Sequence, residues 1–351
     1  MIHKSQSLLT LVAVFALVGA ASADNSAQPQ AHAEGPALVL AEPGAGGRVF
    51  CNGVRRQDEV VVVNTRMLGC SCDPESIRTG LVFETYGVVD EVCNRRWQGS
   101  NLDNFLAFDP SVPTLIFVHG NQITPSDAKR EGLAVYRRVM EYAADSPPIR
   151  FVIVSWPSSR VGGLLRDVRI KATRTDPAGC QLAWLLDQMP AETPVTLAGF
   201  SYGARIITAG LHILAGGRLG HLDLAARVHP ERAQVNVVLM ASALHAHWLG
   251  EGQYHGLAMT QVNQMLLVNN CSDRAMRFYH LAFPGRGRPQ ALGLRGPTRL
   301  SSHERMKIQM RDVSRYGAQH NLFLYLCAPG VAAQISECTV GAPAPTLQAA
   351  K

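Results

Sequence analysis

The sequence predicts an α/β fold: a central, mostly parallel sheet with helices on both faces. Short apolar, β-branched runs alternate along the chain with segments of helical periodicity, the order that builds parallel crossover connections. The run Pro113 to Gly120 is apolar without interruption, which a strand buried on both faces requires. Between another run, Pro194 to Ala198, and a helical pattern from about Tyr202 to Leu214 stands Gly199-Phe200-Ser201-Tyr202-Gly203, the mark of a tight strand-to-helix turn.

In chain order, His3 and Lys4 precede the apolar run Leu8 to Ala20, and Ala21-Ser22-Ala23 offers a cleavage site. Residues 1–23 therefore read as an export signal, since the run is shorter than the roughly 20 residues needed to span a bilayer. Residues 24–48, rich in Ala, Gly and Pro, read as a flexible linker. The folded domain is expected over residues 49–330. Its first part, 49–108, contributes N-terminal strands with cysteine-rich loops to the same sheet, and 331–351 reads as a C-terminal tail. Strands are expected at Glu59 to Thr65, Leu81 to Val89, Pro113 to Gly120, Arg150 to Trp156, Pro194 to Ala198, Gln234 to Met240, Gln264 to Asn269 and Arg277 to Leu281. Helices are expected from about Asp127 to Ala144, from Asp176 to Met189, and after Ser201.

All eight cysteines follow the expected cleavage point, and an even number in an oxidising compartment favours disulfides. Four lie before residue 100 and suggest a stapled N-terminal region; Cys327 and Cys338 are close enough in sequence to tie down the tail. Cys70-Ser71-Cys72 has no nearby partners to complete a tetrahedral metal site, so no metal is expected. The chain also lacks a phosphate-binding Gly-x-x-x-x-Gly-Lys loop, and no cofactor is expected. The formal charge of +6 is concentrated in part between residues 284 and 311, without the interleaved aromatics of a nucleic-acid surface.

A serine on such a turn sits at strained backbone angles, and only very small residues fit two positions to either side, as Gly199 and Gly203 do. The helix behind it aims free N-terminal amides at the serine's surroundings. Strand, His119-Gly120-Asn121, helix, strand, helix, Gly199-Phe200-Ser201-Tyr202-Gly203, then an acid and a histidine, is an order that resembles the α/β-hydrolases. Phe117-Val118-His119-Gly120 and Ser155-Trp156-Pro157-Ser158 resemble a group of exported bacterial serine hydrolases within them. The resemblance covers roughly residues 58 to 328. It implies an α/β-hydrolase fold with Ser201 as nucleophile, the amides of Tyr202 and Asn121 as oxyanion hole, and His119 shaping its loop.

A serine hydroxyl needs a histidine to take its proton and a carboxylate to fix that histidine's tautomer, here in the order Ser, acid, His. The segment after Met240 offers no carboxylate, whereas Asn270-Cys271-Ser272-Asp273 does, so Asp273 is the candidate acid ahead of Asp223 and Asp312. His320, between a glycine-containing loop and an apolar helical run, is the candidate base ahead of His303. His280 lies in a strand-like segment, and His245 and His247 come too early.

These residues imply hydrolysis of a carboxylic ester or thioester through an acyl-enzyme. A serine peptidase would use the same set, and a non-catalytic envelope protein could keep the frame for binding. Ser158 to Thr175, basic around an apolar stripe, is a candidate lid; Pro284 to Arg311 is a second candidate wall of the site. Their charge leads us to expect a small acyl ester, anionic or lipid-derived, as partner, with no nucleic acid and no membrane span once the signal is cleaved.

Overall fold

The apolar runs meet at the centre of one sheet. In the computed structural model, the described residues are 50–341 except 92, 225 and 284–287. The signal, the linker, Arg286 and the last ten residues of the expected tail lie outside them. A two-stranded antiparallel ribbon, β1 (Phe50–Cys51) and β2 (Val54–Arg55), opens the fold. The main sheet has nine strands: β3 (Glu59–Asn64), β4 (Val82–Val88), β5 (Arg95–Ser100), β6 (Thr114–Val118), β7 (Arg150–Ser155), β8 (Val195–Phe200), β9 (Val235–Met240), β10 (Val262–Asn269) and β11 (Ile308–Asp312). Their order is β11-β10-β9-β8-β6-β7-β3-β4-β5. Pairings from β11 through β3 are parallel, and β4 and β5 add an antiparallel edge.

Between the strands run α1 (Pro74–Gly80), α2 (Leu102–Leu106), α3 (Pro125–Met140), α4 (Leu164–Gln188) and α5 (Tyr202–Leu214). The short α6 (Arg274–Arg277), α7 (Tyr279–Ala282), α8 (Leu292–Arg295), α9 (Ser302–Met306) and α10 (Leu322–Leu326) follow, with α11 (Val331–Val340) last. Every residue of β6, β7, β8 and β9 is buried, as their unbroken apolar character demands. Two apolar layers result. One holds α4 and α5 against the sheet, and the other holds α3, α10 and α11. Burial of each Val, Leu or Ile there contributes about 1.5–3 kcal/mol. This parallel sheet, layered on both sides with the serine turn at its middle, is an α/β-hydrolase fold.

Several expectations are corrected. Asp176-Pro177 reads as a helix start, but α4 begins twelve residues earlier and runs through Pro177, so the expected lid from Ser158 to Thr175 is largely the first half of a long helix. Its buried Asp167, Lys171, Ala172 and Thr175 face inward and hold those turns. Arg277 to Leu281 is helical rather than extended: the Asp273 side chain accepts from the amides of Ala275 and Met276 and starts α6, which ends at Arg277, and α7 follows from Tyr279. The described part of 284–311 is not one long loop: it contains α8, α9 and the start of edge strand β11. Residues 331–340 form a docked helix rather than a tail. Val331, Ala332 and Ile335 are buried, and the Cys338 carbonyl accepts from Thr196 Oγ1 and Asn236 Nδ2, each at 2.8 Å.

Cys51 bonds to Cys93, and Cys72 bonds to Cys180 in α4, with Cα separations of 5.0 and 5.8 Å. Cys327 and Cys338, expected to pair, are free, as are Cys70 and Cys271. No helix among the described residues is long and apolar enough to cross a membrane. The N-terminal ribbon is tied down by a buried pair: Arg55 Nε and Nη2 each reach the Asp58 carboxylate at 2.8 Å, and Tyr136 on α3 donates to the same group. Opening such a pair costs about 3–5 kcal/mol.

Non-reducing peptide mapping should yield linked peptides for Cys51–Cys93 and Cys72–Cys180. The second bond closes a loop of sequence separation 108. Its removal by Cys72→Ser with Cys180→Ser should cost about 4–5 kcal/mol in denaturant unfolding; a loss below 1 kcal/mol would show that the bond does not constrain the unfolded chain.

Candidate active site

Ser201 sits at φ 54° and ψ −113°, outside the regions an ordinary residue prefers. Such a conformation costs of order 1–3 kcal/mol and persists only where its surroundings impose it. Here they do. The Ser201 amide donates to the Met240 carbonyl at 2.9 Å, and its own carbonyl accepts from Ala243 at 3.2 Å. A Cβ at Gly203 would lie 1.9 Å from the Val118 carbonyl oxygen, and one at Gly199 would lie 2.7 Å from the Ala204 amide. Only glycine lets α5 press this closely on the end of β6.

Two other strand ends supply the remaining members. His320 Nε2 lies 2.8 Å from Ser201 Oγ, and His320 Nδ1 lies 2.8 Å from Asp273 Oδ2. Asp273 follows β10, and His320 stands between β11 and α10, both beyond the carboxyl ends of the parallel strands. The two Asp273 oxygens divide their work. Oδ1 accepts the Ala275 and Met276 amides at 2.8 and 3.1 Å, and Oδ2 accepts from the Tyr325 hydroxyl at 2.5 Å as well as facing His320. Burial pushes the Asp273 carboxyl up, but His320 and these donors outweigh it and hold it below the usual carboxylate range. Burial and the neighbouring carboxylate push the Tyr325 phenol far above its ordinary value, so it remains a donor. Asn270 locks the two loops together: Nδ2 donates to the Gly317 carbonyl at 2.8 Å, and Oδ1 accepts the amides of Ser272 and Asp273.

Asn121 and Tyr202 line the same cavity as Ser201. The Asn121 side chain donates to Asp167 Oδ2 at 2.8 Å. Asp167 Oδ1 in turn accepts from the Val161 amide at 2.7 Å and from Lys171 Nζ at 2.9 Å. Asp167 and Lys171 are fully buried one helical turn apart, so their pair fixes the Asn121 loop to α4. His119 is sealed in the same loop, with Nδ1 2.9 Å from the Gly120 carbonyl and its own carbonyl accepting from Trp156 Nε1 at 2.9 Å. Burial pushes its pKa down to about 3, which keeps the ring neutral.

The other candidates are engaged elsewhere. Asp223 pairs with Arg218, and Asp312 caps the turn at Ser314. His303 is exposed on α9. His280 lies in α7, and His245 Nδ1 meets the Tyr279 hydroxyl at 2.9 Å. The sequence reading missed Tyr325, Asn270, Asp167 and Lys171. A lone tyrosine in the apolar run after His320 and an acid–lysine spacing of four were their only signals.

The cavity over Ser201 and His320 has a volume of about 270 Å³. Leu164, Val168, Met276, Tyr279, Phe283 and Phe323 give it apolar walls, and Glu131 reaches it from α3. Among the described residues no arginine or lysine lines it. Three of the basic residues expected to face it bond to the frame: Arg169 to the Ala282 carbonyl, Arg174 to that of Pro157, and Lys307 to those of Met259 and Val262.

No family model matches the chain, and no curated protein matches its sequence. Among solved structures, the chain is similar to Thermogutta terrifontis esterase 2 at 14% identity, over 66% of this chain and 82% of that one, with a TM-score of 0.32. It is similar to an acetylxylan esterase at 13% identity, over 66% and 97% of the two chains, with a TM-score of 0.35. The lin2722 gene product of Listeria innocua matches at 11% identity, over 65% and 93%, with a TM-score of 0.32.

Because the folded Asp273 carboxyl lies below its unfolded value, the stability it contributes is present above about pH 4 and is lost as pH falls through the folded value. Tyr325→Phe removes one of the donors that lower it. Acid unfolding should therefore begin at a higher pH, and stability at neutral pH should fall by about 1.5–3 kcal/mol. An unchanged acid midpoint in a circular-dichroism titration would show that the hydroxyl does not stabilise the carboxylate.

Proposed function

We propose that the protein is a serine hydrolase that cleaves a carboxylic ester or thioester through an acyl-enzyme. The observation that carries this is the unbroken relay from Ser201 Oγ to His320 to Asp273, at 2.8 Å for each step, opening onto an apolar cavity. In acylation, His320 Nε2 takes the Ser201 proton as Oγ bonds to the carbonyl carbon. The negative charge that develops on the carbonyl oxygen is received by the amides of Tyr202 and Asn121. As the carbonyl re-forms, the alcohol or thiol leaves with the proton from His320. Water then repeats the sequence, with His320 again as base, and releases the acid. Asp273 holds the Nδ1 proton in place and stabilises the imidazolium.

The dimensions of the cavity support a small acyl group over an extended peptide. Export to an oxidising compartment is part of the proposal, and the two disulfides support it.

Exposure to a fluorophosphonate should place a single adduct on Ser201, read by intact mass, and Ser201→Ala and His320→Ala should abolish it. A folded protein that takes no adduct would favour a binding role on the same frame. Asp273→Asn should lower ester turnover about 10³–10⁴-fold, by analogy with serine hydrolases in general. Asp167→Asn, which loosens the Asn121 loop, should lower kcat about 10–100-fold with little change in KM. An equal loss in KM would mean that the pair shapes ground-state binding instead.

A further inference from the structure

One polar group in the cavity wall has no part in the relay. Glu131 projects from α3 beside Gln122 and Ile123, and its Oε1 is sealed from solvent with no hydrogen-bond partner among the described residues. The neighbouring cations are committed elsewhere. Arg130 pairs with Asp127 at 2.6 Å on the exposed side of the helix, and Lys129 pairs with Glu84 at 2.7 Å. Arg66 spends its guanidinium on Ser155 Oγ, Ser159 Oγ and the Ile123 carbonyl. A buried acceptor without a donor is costly, and a protein that gained nothing from this carboxyl would be more stable with an apolar residue in its place.

We propose that Glu131 is a specificity-determining residue of the cavity. It selects esters that carry a hydroxyl group away from the scissile carbonyl, over plain hydrocarbon analogues and over anionic ones. The proposal rests on the hydrolase reading of the same site. A rotation of the carboxyl that turns Oε1 from the wall into the cavity lets a substrate hydroxyl supply the donor it lacks, whereas a hydrocarbon leaves it unpaired and a carboxylate meets it as a like group. Burial, with Asp127 adding to it, pushes the carboxyl up to about 7 against the weaker pull of Arg130. Near neutral pH the group can thus accept from a hydroxyl or donate to one.

The test compares p-nitrophenyl hexanoate, its 3-hydroxy and 6-hydroxy analogues, and mono-p-nitrophenyl adipate on wild type, Glu131→Gln and Glu131→Leu. Wild type should prefer a hydroxylated ester by about tenfold or more in kcat/KM, mainly through KM, with the adipate poorest. Glu131→Gln, which still accepts and donates, should keep most of that preference. Glu131→Leu should lose it while still being labelled at Ser201 by a fluorophosphonate and without a fall in Tm; a structural carboxyl would lower Tm on the same replacement. The proposal is overturned if wild type shows no hydroxyl preference, or if Glu131→Leu keeps it. If wild-type Ser201 takes no label, the hydrolase reading fails separately, and calorimetric binding of hexanamide and 6-hydroxyhexanamide to the Ser201→Ala protein decides the inference. A tenfold advantage for the hydroxyamide that disappears in Ser201→Ala with Glu131→Leu supports it, and equal binding overturns it.

Discussion

The backbone at Ser201 is the constraint from which the rest of the structure follows. A serine at positive φ is retained only because α5 cannot withdraw: Gly203 lies against the Val118 carbonyl, and β9 grips the serine from the other side through Met240. That close approach requires β6, β8 and β9 to run side by side with nothing between them, so all three are buried throughout. It also requires a helix behind the turn with no exposed face, and every residue of α5 is buried. A strain of order 1–3 kcal/mol is small beside this many buried side chains at about 1.5–3 kcal/mol each. The local distortion and the apolar strands are therefore one device.

Around that rigid point, the functional atoms come from loops, which a sheet alone does not hold. Buried polar groups hold them. Asn270 joins the Asp273 loop to the His320 loop, Tyr325 closes the acid from beneath, and the Asp167–Lys171 pair anchors the Asn121 loop to α4. Each of these groups would be a liability in isolation, because a buried ion or amide without partners costs more than its contacts return. In combination they leave each loop with a single favourable arrangement. Catalytic geometry needs that degree of fixation, since hydrogen-bond distances near 2.8 Å do not survive loose supports.

The division between legible and illegible residues has a physical basis. Gly199, Ser201 and Gly203 declare themselves because their chemistry is local, and chain order then points to Asp273 and His320. Central strands are legible because burial on both faces leaves an apolar run. Edges are harder: β5 (Arg-Arg-Trp-Gln-Gly-Ser) and β11 (Ile-Gln-Met-Arg-Asp) face solvent, and nothing in those residues separates a strand from a loop. Pro177 is a fair sign of a helix start, but tertiary burial of Asp167, Lys171 and Thr175 overrides it. Phe278-Tyr279-His280-Leu281 has strand-like composition, but it follows directly on the helix that Asp273 caps and continues as the short helix α7. Tyr325, Asn270 and Glu131 owe their roles to segments that meet only in three dimensions, so no spacing in the sequence announces them, and the spacing of four between Asp167 and Lys171 does not say which loop their pair holds.

The two carboxyls near the cavity show how environment, and not residue type, sets chemistry. Asp273 is the more deeply buried and yet is held below the usual range, because an imidazole, a phenol and two amides converge on it. Glu131 has no such company, and burial, with Asp127 adding to it, drives it the other way. Separation of this kind lets one cavity keep a fixed negative charge beneath the histidine and, in its wall, a carboxyl pushed up to about 7. Three basic residues of α4, Arg169, Lys171 and Arg174, do not disturb the arrangement, because they are bonded to carbonyls or to Asp167, and among the described residues no arginine or lysine lines the cavity. An apolar surround in turn strengthens each remaining polar contact, so a substrate that enters meets few groups, each of them effective.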